Sequence, residues 1–211
     1  MNHFTEIVDE QRSPAWFAAR CGRATGSRAS DILATIKSGE AAARRDYRAQ
    51  LVCERLTSVP IDDTFINKEM QRGIDLEPAA RAAYEAATGT MVRTTGFLAH
   101  NDILTGCSID GDTDDYTGII ELKCPKAATH YRYLMENRVP PDYLPQITHN
   151  LWMTGANFCD FGSFDDRFPA HLRLFVMRVN ASDLDLIGYE AKLIAFLDEV
   201  ARDVKLLEGR K

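Results

Sequence analysis

Residues 103–109 and 118–124 of this 211-residue chain are two short apolar, β-branched runs separated by an acidic glycine turn, and that spacing constrains the fold more than any other feature. Runs of this length and composition read as strands, and Asp110-Gly111-Asp112 after the first predicts an antiparallel hairpin. Along Gly118-Ile-Ile-Glu-Leu-Lys-Cys-Pro125 the side chains alternate with period two, so Glu121 and Lys123 share one face while Ile120 and Leu122 take the core. The hairpin returns Asp110 to the side of Glu121, so that two carboxylates and one ammonium meet at one edge.

An acid followed by acid-x-lysine is a compact donor set for a magnesium-dependent phosphodiesterase. Carboxylate oxygens suit hard divalent ions, and an ammonium beside them can orient water and counter phosphate charge. Other readings of the same residues stay open. Asp110-Gly-Asp112-Thr-Asp114-Asp115, with Glu121 at position twelve, matches much of a calcium-binding loop, which would make the chain a non-catalytic calcium module. Against it, position six is Asp115 instead of glycine, position eight is Thr117, and the flanks read as strands where a calcium hand needs helices. An acidic turn with a solvated Glu and Lys is the plainest alternative.

Composition bounds the rest. With 45% apolar and 27% charged residues, the chain reads as one domain over residues 1–211 with a sizeable core. No apolar stretch reaches the roughly 18 residues of a membrane span, and the first residues lack a secretory pattern, so a cytoplasmic protein without membrane partners is expected. Five scattered cysteines with no Cys-x-x-Cys pair read as reduced core thiols, not as a disulfide framework, zinc site or iron–sulfur cluster. His130, His149 and His171 are not spaced as a ligand set, and Ser108 has no neighbouring base, which disfavours a covalent nucleophile. The net charge of −6 argues against broad adhesion to nucleic acid, but Arg12, Arg20, Arg23 and Arg28 reverse the local balance.

Ser13-Pro14 predicts a helix to Arg20, Ser27 or Ser30 a cap for the next, and residues 40–57 a third. Residues 68–88 read as a helix that Pro78 splits or restarts and Gly89 ends. Strands are expected near 91–99, 103–109 and 118–124, helices over 129–137 and 143–154, a closing strand pair over 158–164 and 171–179, and a final helix capped by Ser182. Its stripe of Leu186, Leu193, Leu197, Val200, Val204 and Leu207 reads as core. The expected fold is α/β, with a central mixed sheet flanked by helices.

Several blocks occur together in order: Trp16, Arg20-Cys-Gly-Arg-Ala-Thr25-Gly-Ser27, Gly73-Ile-Asp-Leu-Glu77-Pro-Ala-Ala-Arg81, Ser108-Ile-Asp110-Gly111, Glu121-Leu-Lys123-Cys-Pro125 and Tyr143-Leu-Pro-Gln146-Ile-Thr-His-Asn-Leu-Trp152. Over most of its length the chain thereby resembles the phage lambda exonuclease and YqaJ-type recombinase family, a branch of the restriction-endonuclease-like Asp-(Asp/Glu)-x-Lys nucleases. It departs from the family in the acidic 112–115 turn and in His149-Asn150, where relatives often carry an aromatic residue.

The resemblance implies a restriction-endonuclease-like core and an ATP-independent exonuclease that degrades one strand of linear double-stranded DNA in the 5′-to-3′ direction. Products would be 5′-mononucleotides and a 3′ single-stranded overhang used in phage recombination. Asp110, Glu121 and the Leu122 carbonyl would bind Mg²⁺ or Mn²⁺, two ions in all, with Glu77 an outer or water-mediated ligand. Lys123 would help to deprotonate the attacking water, its pKa lowered by the metals and raised by the carboxylates. Gln146 would hold the nucleophile or the scissile strand, Arg20 and Ser27 would bind the 5′ phosphate, and Arg23 and Arg28 would add DNA contacts. From the residues alone, Glu77 also reads as half of a surface pair with Arg81, Gln146 as a helix-surface residue, and Arg23 and Arg28 as solvated cations. The family also implies a toroidal homotrimer and a single-strand annealing partner. An endonuclease of the same superfamily, or a Cas4-like exonuclease, is the nearest enzyme alternative, although no cysteines here are spaced as the iron–sulfur ligands that the latter usually brings.

Overall fold

The structure, a computed structural model, describes residues 3–9, 11–61 and 68–210. Its strands fall into two four-stranded mixed sheets flanked by helices. The first sheet contains β1 (Phe4–Ile7), β2 (Ala24–Thr25), β3 (Phe97–His100) and β4 (Thr105–Cys107) in the order β1-β3-β4-β2. The second contains β5 (Gly111–Thr113), β6 (Gly118–Lys123), β7 (Phe158–Phe164) and β8 (Leu174–Asn180) in sequence order. The helices are α1 (Pro14–Arg20), α2 (Ala29–Ile32), α3 (Ala42–Thr57), α4 (Lys68–Thr88), α5 (Ala127–Glu136), α6 (Leu144–Thr154) and α7 (Leu186–Glu208).

The hairpin differs from the expected one. Residues 103–109 contribute β4 to the first sheet, where it pairs antiparallel with β3 and parallel with β2. The partner of β6 is the short β5, with Gly111 opposite Ile120 and Thr113 opposite Gly118. Between them Asp114, Asp115 and Tyr116 all take positive φ (53°, 52° and 64°). Hydrophobic period locates strands but does not choose their partners. Here the chain crosses between sheets at 108–110, and Asp110 becomes the pivot.

β6 is buried on both faces, which explains its nearly unbroken apolar run. Ile120 and Leu122 pack against Ala80 and Tyr84 of α4, whereas Ile119 joins the cluster formed by Ile147 and Leu151 of α6 with Phe161 of β7. β7 runs parallel to β6 and antiparallel to β8, so the closing strand pair forms as expected, although β8 starts at Leu174. The strand expected over 91–99 shrinks to Phe97–His100, and Arg93 keeps one isolated bridge to Asp112.

Ser13 caps α1, its hydroxyl accepting from the Trp16 N–H at 3.2 Å. Neither Ser27 nor Ser30 caps α2, whose N-cap is Arg28, after a single 3₁₀ turn over Gly26–Arg28. α4 runs unbroken through Pro78: burial of Ala80 and Tyr84 holds the helix despite the hydrogen bond that proline removes. Gly89 closes it with φ +70° and its N–H on the Glu85 carbonyl. Asp185, not Ser182, caps α7, its carboxylate accepting from the Gly188 N–H. Leu193, Leu197 and Val200 of the α7 stripe pack with Tyr47 and Leu51 of α3, while Leu207 is exposed. Of the cysteines, Cys107 and Cys159 are core thiols, but Cys21 and Cys124 are half-buried and Cys53 is exposed. No helix among the described residues is long and apolar enough to cross a membrane.

Candidate active site

Asp110 reaches β6 through its side chain. Its Oδ2 accepts the Leu122 N–H at 2.6 Å, so the carboxylate takes up a backbone donor of the strand that carries Glu121 and Lys123. Glu121 is 1% exposed. Its Oε1 accepts Gln146 Nε2 at 2.7 Å and forms an ion pair with Lys123 Nζ, and its Oε2 accepts Asn150 Nδ2 at 3.2 Å. α6 therefore supplies two amides to one carboxylate. Gln146 and Asn150 are four residues apart and share the helix face turned toward β6.

The charges explain one another. Burial raises the pKa of Glu121, Lys123 pulls it back, and Asp110 adds to the rise; the net direction is upward. Burial likewise raises Asp110, against the opposing pull of Lys123 and the Leu122 N–H. Burial alone would lower the Lys123 pKa, but Glu121 and Asp110 overcome it and the ammonium is held firmly protonated. Glu77 is raised by burial and then by Asp110.

Glu77, Asp110, Leu122 and Lys123 line one cleft of about 490 Å³ between α4 and the end of β6, together with Arg12, Lys126 and Tyr143. The Arg81 charge pulls the Glu77 pKa down against burial and Asp110, so Glu77 feels Arg81 as well as the Asp110 carboxylate. Arg12 is a residue that sequence reasoning left without a role. It has φ +70°, a conformation uncommon outside glycine, and it faces the carboxylates.

Oxygen donors of this kind suit a hard divalent ion, and the Asp110 charge that pushes up both Glu77 and Glu121 is what such an ion would relieve. Among the described residues no three His, Cys, Asp or Glu side chains converge closely enough to cage an ion by themselves. The residues fit the metal by donor chemistry and charge, with a backbone carbonyl or water completing the set.

A second locus lies beside the first. The Arg20 guanidinium stacks on Trp16 with 4.1 Å to the ring centroid, and Trp16 Nε1 donates to Ser108 Oγ at 3.2 Å, two residues before Asp110. Arg20, Arg23 and Arg28 line one narrow crevice with Thr25 and Tyr47. Ser27 is exposed, and its hydroxyl lies 3.3 Å from that of Thr25. Arg23 directs one Nη toward the carbonyls of His100, Ile103 and Thr105, each at 3.4 Å, and Arg28 is engaged by Asp31 and Gln50. Both are tied into the protein and are not freely solvated. The acidic turn is also tied down: Asp112 is paired with Arg93, which bonds Glu6 as well, and its flanks are the strands β5 and β6 where a calcium hand would have helices.

Asn150 and Ser108 are the other neighbours missed at the sequence level. Period-four spacing from Gln146 could have pointed to Asn150; nothing in the local sequence points to the Trp16–Ser108 bond, which spans 92 residues.

The YqaJ-like viral recombinase domain matches residues 15–157. An alkaline exonuclease from Laribacter hongkongensis, LHK-Exo, superposes with a TM-score of 0.83 at 38% identity, covering 93% of this chain and 96% of that one. The same exonuclease in complex with dAMP gives the same figures. A phage-related exonuclease from Haemophilus somnus 129PT shares the fold with a TM-score of 0.70 at 15% identity, over 88% of this chain and 96% of its own. No curated protein matches. The chain belongs to the YqaJ-like viral recombinase family, and its fold is that of the alkaline exonucleases.

Proposed function

We propose that the chain is one exonuclease domain, dependent on a divalent metal, that degrades one strand of linear double-stranded DNA from a 5′ end. It releases 5′-mononucleotides and leaves a 3′ overhang for phage-type recombination. The observation that carries this reading is the convergence of Asp110, Glu121 and Lys123, with Glu77 lining the same cleft as Asp110 and Lys123. The complex of LHK-Exo with dAMP, a nucleoside monophosphate of the kind such a reaction releases, supports the product.

Asp110, Glu121, Glu77 and the Leu122 carbonyl would hold Mg²⁺ or Mn²⁺, two ions in this reading. When bound, the metal supplies Lewis-acid charge and a more acidic water. Lys123 Nζ, paired with Glu121 and lining the cleft, would orient the attacking water and offset phosphate charge. Gln146 fixes Glu121 through Oε1 and borders the scissile strand. Arg20 and Ser27 receive the 5′ phosphate, since a guanidinium fork matches phosphate oxygens and a hydroxyl adds a donor. Arg23 and Arg28, which line one crevice with Arg20, would add contacts to the DNA. A cytoplasmic setting, a ring-shaped homotrimer around DNA and a single-strand annealing partner complete the proposal, on family resemblance.

The test is digestion of linear duplex with 5′-phosphate or 5′-hydroxyl ends, in Mg²⁺ and in Ca²⁺, beside a closed circle. Mononucleotide release from linear DNA in Mg²⁺, lost in Asp110→Ala and reduced about 10²–10⁴-fold in Lys123→Ala, is the expected result. Full activity of Lys123→Ala would sink the mechanism, and cutting of the circle would favour an endonuclease.

A further inference from the structure

Asn150 occupies an unusual position for a buried amide. It is 1% exposed, and while its Nδ2 donates to Glu121 Oε2, its Oδ1 is sealed from water with no hydrogen-bond donor. A buried carbonyl left without a donor is destabilising, because it has given up water and gained nothing in exchange. Turning the amide over would set oxygen against the Glu121 carboxylate, which is worse, so Glu121 dictates the orientation. The orphan oxygen abuts Gly26, where a methyl group would collide with Asn150 Oδ1 and stand 3.1 Å from His149 Cδ2. Gly26 opens the Gly26–Arg28 turn that carries Ser27. One side chain therefore spans the distance between that turn and the second oxygen of Glu121.

Resting on the nuclease reading above, we propose that Asn150 is a positioning residue: it holds Glu121 Oε2 for the divalent ion and makes the set of that carboxylate depend on the seating of the Gly26 turn. Lys123 and Gln146 both engage Oε1, so Asn150 provides the only side-chain hydrogen bond to Oε2 among the described residues. Removing an outer partner of a metal carboxylate commonly weakens metal binding by about 10–100-fold.

The experiment is calorimetric titration of the metal-free protein with Mn²⁺, without DNA, for the wild type, Asn150→Ala, Gly26→Ala and the double variant, each first shown folded by thermal melting. Asn150→Ala should weaken Mn²⁺ binding about tenfold, and Gly26→Ala should weaken it in the same direction because its methyl displaces the amide. The double variant should bind no more weakly than Asn150→Ala, since the methyl then enters vacated space. If Asn150→Ala does not fold, Gly26→Ala alone decides, because it leaves every donor in place. Mn²⁺ affinity within twofold of wild type in either folded single variant would overturn the inference, as would losses that multiply fully in the double variant. A wild type that cleaves linear DNA while the variants keep its affinity refutes only the role of Asn150; a wild type that neither binds Mn²⁺ nor cleaves refutes the nuclease reading itself.

Discussion

Lowering the pH from 7.5 to 5 should destabilise this protein specifically through His149. The ring is fully buried on α6; Nε2 lies 3.0 Å from the Gly106 carbonyl and Nδ1 lies 2.6 Å from the Tyr189 hydroxyl. A carbonyl only accepts, so Nε2 carries the proton and Nδ1 accepts from Tyr189: the site is built for the neutral ring. Burial drives the pKa down from 6.5 to about 4, with the Gly106 bond opposing. A histidine with a depressed pKa contributes stability that is fully present above its unfolded value and is lost as the pH falls toward the folded value. The gap of roughly 2.5 pH units, at about 1.4 kcal/mol each, amounts to about 3 kcal/mol in full, of which about 2 kcal/mol is gone by pH 5. Urea denaturation of metal-free protein at both pH values, for the wild type and His149→Gln, isolates this contribution from the carboxylates that titrate in both. The variant should be less stable at pH 7.5 yet lose about 2 kcal/mol less than the wild type on acidification. An equal loss in the two proteins would refute the assignment of a buried neutral imidazole.

Two further outcomes are expected. Arg20→Ala should reduce the preference for 5′-phosphate over 5′-hydroxyl ends about tenfold, the scale of one charge-assisted hydrogen bond of ~1.5 kcal/mol, as read from initial rates on paired substrates; an unchanged ratio removes Arg20 from end recognition. Tyr84→Phe should cost about 2 kcal/mol in urea denaturation with cleavage retained. Its hydroxyl donates to the buried Asp160 at 2.7 Å, behind β6 and outside the cleft, and a loss below about 0.5 kcal/mol would show that Arg178 satisfies Asp160 alone.

Local elements were largely legible in the chain. Ser13-Pro14 opens α1, Gly89 and Gly155 end α4 and α6 in left-handed conformations, and the period-two run of β6 puts Glu121 and Lys123 on one face, where they pair. These depend on backbone stereochemistry and on side-chain alternation within a few residues. The misreadings were of partnership. The 103–109 run pairs into the first sheet, so the turn after it joins two sheets instead of closing one hairpin. Pro78 brings the local cost of a lost helix hydrogen bond, but packing on β6 carries α4 through it.

What the sequence by itself determined is the inventory of the site: an acid, an acid-x-lysine strand, a helix with a glutamine, and a basic N-terminal stretch in family order. Only the tertiary structure decided how they meet. Asp110 is held by the Leu122 N–H, Asn150 joins Gln146 on Glu121, and Trp16 carries the stacked Arg20 guanidinium while bonding Ser108, two residues before Asp110. The physical reason is that each of these contacts links elements distant in the chain. Their geometry is set by burial and hydrogen-bond satisfaction across the whole fold, which no local pattern records.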